Sequence, residues 1–252
     1  MTRNQSRPVP DAVLLCAGRG NRLGDLTETI PKTLLETGEG TTILDRALGA
    51  LASIDIARAT LVVGHAAEVV AGRVAAMERR HGLTLTLVDN PHHASRNNAY
   101  SLALGLAGLD RDVLVVNGDT LFEVAGPERL AAAPPAPVTL AVDRVKTLGA
   151  EEMKVLFDPS GSLVSISKAL DTSTADGEYI GLSLISRGAI GDVVAALEGV
   201  WTRDPALYYE DGFGDLAAAG MRIAMVDVGD LPWIEVDTPE DLERARMMSW
   251  RS

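Results

Sequence analysis

Four apolar runs of strand length, each followed by a stretch of helical period, fill the first half of this 252-residue chain. Val13 to Ala17, Thr60 to Gly64, Leu83 to Val88 and Val113 to Val116 draw mostly on Val and Leu, as strands buried on both faces do. Behind a capping Thr42, the residues Leu44, Ala47, Leu48 and Leu51 recur at helical spacing. Glu68 to Arg80 reads as a second helix, and Asn97 caps a third that carries Leu102 and Leu106. Neighbouring parallel strands need a crossover between them, so this alternation predicts a parallel, doubly wound α/β sheet.

The pattern loosens from about Ala125, and Pro134, Pro135 and Pro137 mark a loop. Beyond it, Lys154 to Phe157 and Leu163 to Ile166 flank the turn residues Asp158 and Gly161 as a hairpin would. A strand is expected over Tyr179 to Ile185 and helices over Ala189 to Leu197 and Leu207 to Ala219. Arg222 to Val226 and Trp233 to Val236 read as extended, and Pro239 opens a closing helix. Residues 1–11 read as a loose leader, and the whole 1–252 as a single domain.

The formal charge of −12 argues against nucleic acid and anionic membranes as partners, since both select basic surfaces. An anionic substrate must then be met by local Arg, Lys or metal. No apolar run reaches the roughly 18 residues of a membrane span. The lone Cys16 lies inside the first strand and reads as a structural thiol, and a cytoplasmic location is expected.

The loop after the first strand is chemically specific. Gly18-Arg19-Gly20-Asn21-Arg22 can crowd backbone N–H groups around an anion, and arginine can grip phosphate oxygens in pairs. Lys32 follows Pro31, whose fixed φ stiffens the backbone beside that ammonium. Walker A is excluded, because Asp25 and Leu26 follow Gly24 where Lys-Ser/Thr belongs. A dinucleotide fingerprint starts at Gly18 and Gly20 but has Leu23 at its third glycine. The loop reads as a polyphosphate cradle, with an ordinary tight turn bearing solvated arginines as the alternative.

Two acidic sites lie downstream. Asp119 closes the fourth strand, on the sheet edge where ligands bind in such folds. Glu235 and Asp237 are two apart on an extended segment and share a face. Three carboxylates beside a triphosphate suit Mg²⁺. Taken singly, Asp119 also reads as a turn residue and Asp237 as a helix cap. Between them in sequence, Tyr208, Tyr209, Glu210 and Asp211, with Trp233, offer aromatic faces and carboxylates to an ammonium group, or form the core face of a helix.

Ala17-Gly18-Arg19-Gly20-Asn21-Arg22 with Pro31-Lys32 resembles the signature of the nucleotidyltransferases that activate sugar phosphates and related phosphoesters. Asn97-Asn98, Ser101-Leu102, Asn117-Gly118-Asp119, Glu152-Met153-Lys154 and Trp233 to Asp237 narrow it. They are similar to the small cytidylyltransferases acting on phosphocholine, 2-aminoethylphosphonate or inositol phosphate. The resemblance implies a Rossmann-like three-layer αβα fold with a mixed, mostly parallel central sheet, a nucleotide-binding half over about 12–124 and an acceptor-binding half over about 125–252. It implies that Ala17, Gly18, Gly20 and Gly118 hold the nucleotide, with Asn98 and Ser101 near the base. Arg22 and Lys32 would serve the transferring phosphate, Asp119, Glu235 and Asp237 would bind Mg²⁺, and Lys154 would meet the acceptor's anion. CTP is the implied nucleotide and a small phosphoester or phosphonate the acceptor; a homodimer is compatible.

Other readings stay open at this level. Another NTP with a sugar 1-phosphate or inositol phosphate fits the same motifs. An NAD(P) oxidoreductase would want a glycine at position 23 and an acid ending the second strand, where Gly64-His65 stands. Intact Lys32, Asp119 and Asp237 speak against a non-catalytic nucleotide-binding subunit.

Overall fold

The computed structural model describes residues 8–250, so the leader expected over 1–11 falls largely outside the described residues, and Asp11 already belongs to a strand. The first half runs β1 (Asp11–Cys16), α1 (Ile43–Ala52), β2 (Arg58–Val63), α2 (Ala67–Ala71), α3 (Val74–His81), β3 (Thr84–Asp89), α4 (Asn98–Leu106) and β4 (Val113–Asn117). All pairings among these strands are parallel, with β1 between β2 and β4 and with β3 beyond β2. Thr42 caps α1 through a reciprocal box with Asp45, and the Asn97 side chain accepts from the Asn98 N–H.

The second half runs β5 (Thr120–Phe122), α5 (Ala125–Ala132), β6 (Val138–Asp143), β7 (Lys154–Phe157), β8 (Leu163–Ser167), β9 (Gly177–Ile185), α6 (Ile190–Arg203), α7 (Tyr209–Ala218), β10 (Ile223–Asp227), β11 (Trp233–Glu235) and α8 (Pro239–Met247). The main sheet is ordered β10-β6-β9-β4-β1-β2-β3, with β9 antiparallel to both β4 and β6 and the β7–β8 hairpin joined to β9. Alternate residues of β1 enter opposite cores. Leu14 packs with the leucines of α1, while Val13 packs with the buried faces of α4, α6 and α7. This is the three-layer, mixed but mostly parallel sheet expected from the sequence.

Three departures have local causes. The helix expected over Glu68 to Arg80 splits at Gly72-Arg73, since glycine is a weak helix former. The helix α5 went unread because Gly126 and Pro127 resemble loop punctuation. Both sit in its first turn, where no intrahelical N–H is needed. The third is the short antiparallel ribbon β5–β11, which pairs Thr120 with Glu235 and Phe122 with Trp233. A small separate core of Leu23, Leu35, Ile43, Leu121, Val236 and Leu242 packs beneath it.

Candidate active site

The glycine loop opens at the carboxyl end of β1. Gly20 has φ +72°, and a Cβ there would lie 2.9 Å from Cδ of Lys32, so the loop needs glycine both to turn and to let the lysine stem pass. Thr27 Oγ1 donates to the Gly20 carbonyl at 3.1 Å and fixes the loop. Ala17 and Gly18 line the cleft beyond it. Lys32 follows extended Pro31 and is only 6% exposed.

The acidic groups converge on that lysine. The Asn117-Gly118-Asp119 turn presses against β1, where a Cβ on Gly118 would meet the Leu15 carbonyl oxygen at 2.3 Å. The β5–β11 ribbon then carries the later carboxylates to Asp119, and the Val236 N–H donates to the Asp119 carbonyl at 2.9 Å. Lys32 Nζ donates to Asp119 Oδ2 at 3.0 Å and to Asp237 Oδ1 at 2.5 Å, and the Arg22 guanidinium also pairs with Asp237. Helix capping of α8 falls instead to Thr238, which forms a reciprocal box with Asp241.

Asp119, Glu235 and Asp237 each offer an oxygen, all within 4.8 Å of one another. Such a set could hold a metal ion. Asp119 Oδ1 is buried without a hydrogen-bond partner among the described residues, which leaves its lone pairs unused. Burial alone would depress the Lys32 ammonium, but Asp119 and Asp237 outweigh it and raise its pKa above the ordinary value. Glu235 reaches solvent at the rim. The cleft walls nonetheless withhold water from its carboxyl and, with Asp119 and Asp237, push it up to about 8. Charge of this density suits a hard cation bound through oxygen.

The cleft has a volume of ≈ 270 Å³ and adjoins a second chamber of ≈ 770 Å³ across Glu178, Glu235 and Asp237. Asn98 and Ser101 both line the smaller one. Asn98 Oδ1 accepts from the Tyr209 N–H at 2.8 Å, tying α4 to α7, and Ser101 Oγ accepts from Asn90 Nδ2 at 2.9 Å.

The five residues read from sequence as acceptor contacts separate. Tyr208 and Glu210 line the cleft, while Trp233 lines the neighbouring chamber, its indole N–H donating to Asp143 at 2.8 Å. Tyr209 is a core residue, with its hydroxyl 2.9 Å from Asn117 Oδ1 and from the Tyr179 hydroxyl. Lys154 is 1% exposed and donates to the carbonyls of Gly149, Ala150 and Glu152 at 3.1, 3.2 and 3.2 Å. Its ammonium organises the 149–152 turn and does not line either chamber. The helix α7 begins between the two tyrosines, which sends one ring to the cleft and the other inward.

Lys168 and Glu178 line both chambers and were not singled out from sequence. Both lie in or just after strands that pair with β7. Lys154 pairs with Glu178 of β9 and with Ser167, the last residue of β8, and Lys168 follows directly after that strand end. The position of Lys168 just past a predicted strand was the available signal.

Glu210 is 4% exposed, and its Oε2 has no hydrogen-bond partner among the described residues. Burial, with the neighbouring Asp211 charge adding to it, pushes this carboxyl up to about 7. For an acid whose native pKa is raised from 4.5, stability is fully present below about pH 4.5 and is lost as pH rises through about 7. Glu210→Gln is therefore expected to raise stability by on the order of 1–3 kcal/mol above pH 7, with little effect near pH 4. Urea melts at the two pH values check this. An equal effect at both would refute the charged-state cost.

A sheet of this order, with the cleft at the carboxyl ends of its parallel strands, is the nucleotidyltransferase fold. The inositol-1-phosphate CTP transferase from T. maritima matches it with a TM-score of 0.80 at 19% identity, covering 98% of this chain and 100% of that one. The chain belongs to the MobA-like NTP transferase family, whose domain matches residues 12–146. It is 33% identical to the CMP-5'-(3-aminopropyl)phosphonate synthase of Streptomyces rubellomurinus, over 97% of this chain and 40% of that protein. It is 28% identical to the bifunctional IPC transferase and DIPP synthase of Aquifex aeolicus, over 94% of this chain and 51% of that protein. The chain thus spans about half or less of the length of these two curated relatives. Among the described residues, no helix is long and apolar enough to cross a membrane.

Proposed function

We propose that this chain is a Mg²⁺-dependent cytidylyltransferase that moves CMP from CTP to a small acceptor and releases pyrophosphate. The acceptor is a phosphoester or phosphonate of the phosphocholine or 2-aminoethylphosphonate type. The observation that carries the reading is Lys32, buried beside the glycine loop with its ammonium between Asp119 and Asp237. The choice of cytidine is supported by the similarity to a CMP-phosphonate synthase and to a CTP transferase.

Asp119, Glu235 and Asp237 would hold Mg²⁺, and their oxygen-only donor set and the orphaned Asp119 Oδ1 fit that ion. Bound there, it supplies positive charge to the triphosphate. The glycine loop offers backbone N–H groups to the phosphates, Arg22 grips an outer oxygen, and Lys32 stabilises charge at the α-phosphate. An acceptor oxygen forms the new bond to the α-phosphorus as the bond to the β-phosphate oxygen breaks, and pyrophosphate departs with that electron pair. The nucleophile is already an anion, so no general base is required. Lys168, with its side chain 37% exposed at the cleft wall, takes the role of meeting the acceptor's anion that the sequence had offered to Lys154.

Pyrophosphate release with four NTPs against a panel of phosphonates and phosphoesters tests the reading. CTP with an aminoalkyl phosphonate or phosphocholine is expected to be the most productive pair. A different NTP with a sugar 1-phosphate as the best pair would displace it.

A further inference from the structure

The glycine loop is closed at both ends by one residue that belongs to none of the motifs. His65 follows β2, and its backbone N–H donates at 3.1 Å to the carbonyl of Ala17, where the loop begins. Its ring reaches the other end, with Nε2 2.8 Å from the Thr27 carbonyl. A carbonyl only accepts, so Nε2 carries the proton and donates. Thr27 is 0% exposed and passes the restraint on through its Oγ1 contact to Gly20. Arg19, Gly20 and Arg22 stand between the two anchors.

The chain takes on strain to make this clasp. Ala66, directly after His65, has φ 48° and ψ 42°, a left-handed conformation that alanine rarely adopts. Such residues persist only where their surroundings fix them, and they gather at ligand clamps. His65 borders neither chamber, so its ring acts through the loop and not on a substrate. A glycine-rich loop has much freedom to lose when it grips a phosphate chain. A clasp that removes this freedom beforehand leaves more of the contact energy for binding.

We infer that His65 is a positioning residue for the triphosphate. It closes residues 17–27 into a fixed cradle and sets where Gly20 and Arg22 stand against Lys32 and Asp237. The inference rests on the reading of this loop as the phosphate-binding element of a nucleotidyltransferase.

His65→Gln and His65→Asn carry the same amide on stems that differ by one methylene, and only the longer places an N–H where Nε2 stands. Assayed with CTP and 2-aminoethylphosphonate, the Asn variant is expected to lose roughly tenfold to a hundredfold in kcat/KM for CTP, as a displaced binding element does, while the KM for the phosphonate changes by no more than about twofold. The Gln variant should recover most of the loss. Native kinetics for CTP in the Asn variant would overturn the inference, whatever its melting temperature, and so would an equal loss in both variants. Limited trypsin digestion reads the loop without turnover, because Arg19 and Arg22 are exposed. Cleavage after them should be several-fold faster in the Asn variant than in the native or Gln protein, and equal rates in all three overturn the clasp. If the native protein turns over no NTP, the reaction assigned to the cleft fails separately, and the digestion still decides His65. Should neither variant fold, ¹⁵N spectra of the neutral imidazole in the native protein decide instead: an Nε2–H tautomer supports the clasp and an Nδ1–H tautomer overturns it.

Discussion

Lys32→Met is expected to lower turnover by roughly 10²–10³-fold, the usual cost of removing one group that stabilises transition-state charge. Methionine keeps most of the aliphatic stem that runs past Gly20 and removes only the ammonium. The loss should fall on kcat more than on the KM for CTP, because the charge at the α-phosphate grows as the reaction proceeds. A second effect accompanies it. Asp119 and Asp237 lose the cation lying between them, so the variant should melt at a lower temperature in EDTA than in Mg²⁺, by a wider margin than the native protein. Steady-state kinetics and thermal melts with and without the ion measure both, and circular dichroism confirms that the fold persists. Near-normal turnover in a folded variant would remove Lys32 from the chemistry.

Chelation is expected to abolish activity, and added Mg²⁺ to restore it. Asp237→Asn should reproduce most of that loss permanently, at about a hundredfold or more, because the amide keeps the shape and removes one anionic donor. The same substitution weakens the contacts to Lys32 and Arg22, but it also relieves repulsion with Glu235 and Asp119. These effects oppose each other, so the melting temperature should move by only a few degrees. Full activity in EDTA would show that the three carboxylates serve another purpose.

Features legible in the sequence were those set by short-range chemistry. β1 to β4 showed as apolar runs, Thr42 and Asn97 as caps, and the β7–β8 hairpin by its Asp158 and Gly161 turn. The shared face of Glu235 and Asp237 came from strand alternation alone. Features set by long-range pairing were not legible. The ribbon joining β5 to β11 links short strands with no periodicity of their own, and it is this ribbon that brings Glu235 to Asp119. Lys154 and Glu178 show the same limit. Both lie on extended chain and are partners in the β7–β9 register, yet the 149–152 turn captures the Lys154 ammonium while Glu178 lines the cleft, a difference set by chain folded back from elsewhere. For Tyr208 and Tyr209 the deciding fact was where α7 begins, a boundary that composition leaves open by a residue or two.

The β5–β11 ribbon also governs when the site comes into being. A chain emerging from the ribosome presents the glycine loop, Lys32 and Asp119 while more than a hundred residues of its 252 have yet to be made. The parallel strands β1 to β4 can already associate at that stage, because every partner they need among themselves has been synthesised. Lys32 then has only Asp119 to face, and a phosphate-binding loop stands beside an incomplete acidic cluster. Glu235 ends β11 and Asp237 follows it by two residues, so the pairing of Trp233 to Glu235 with Thr120 to Phe122 places both. Closure of the acidic cluster around Lys32 thus depends on that one pairing.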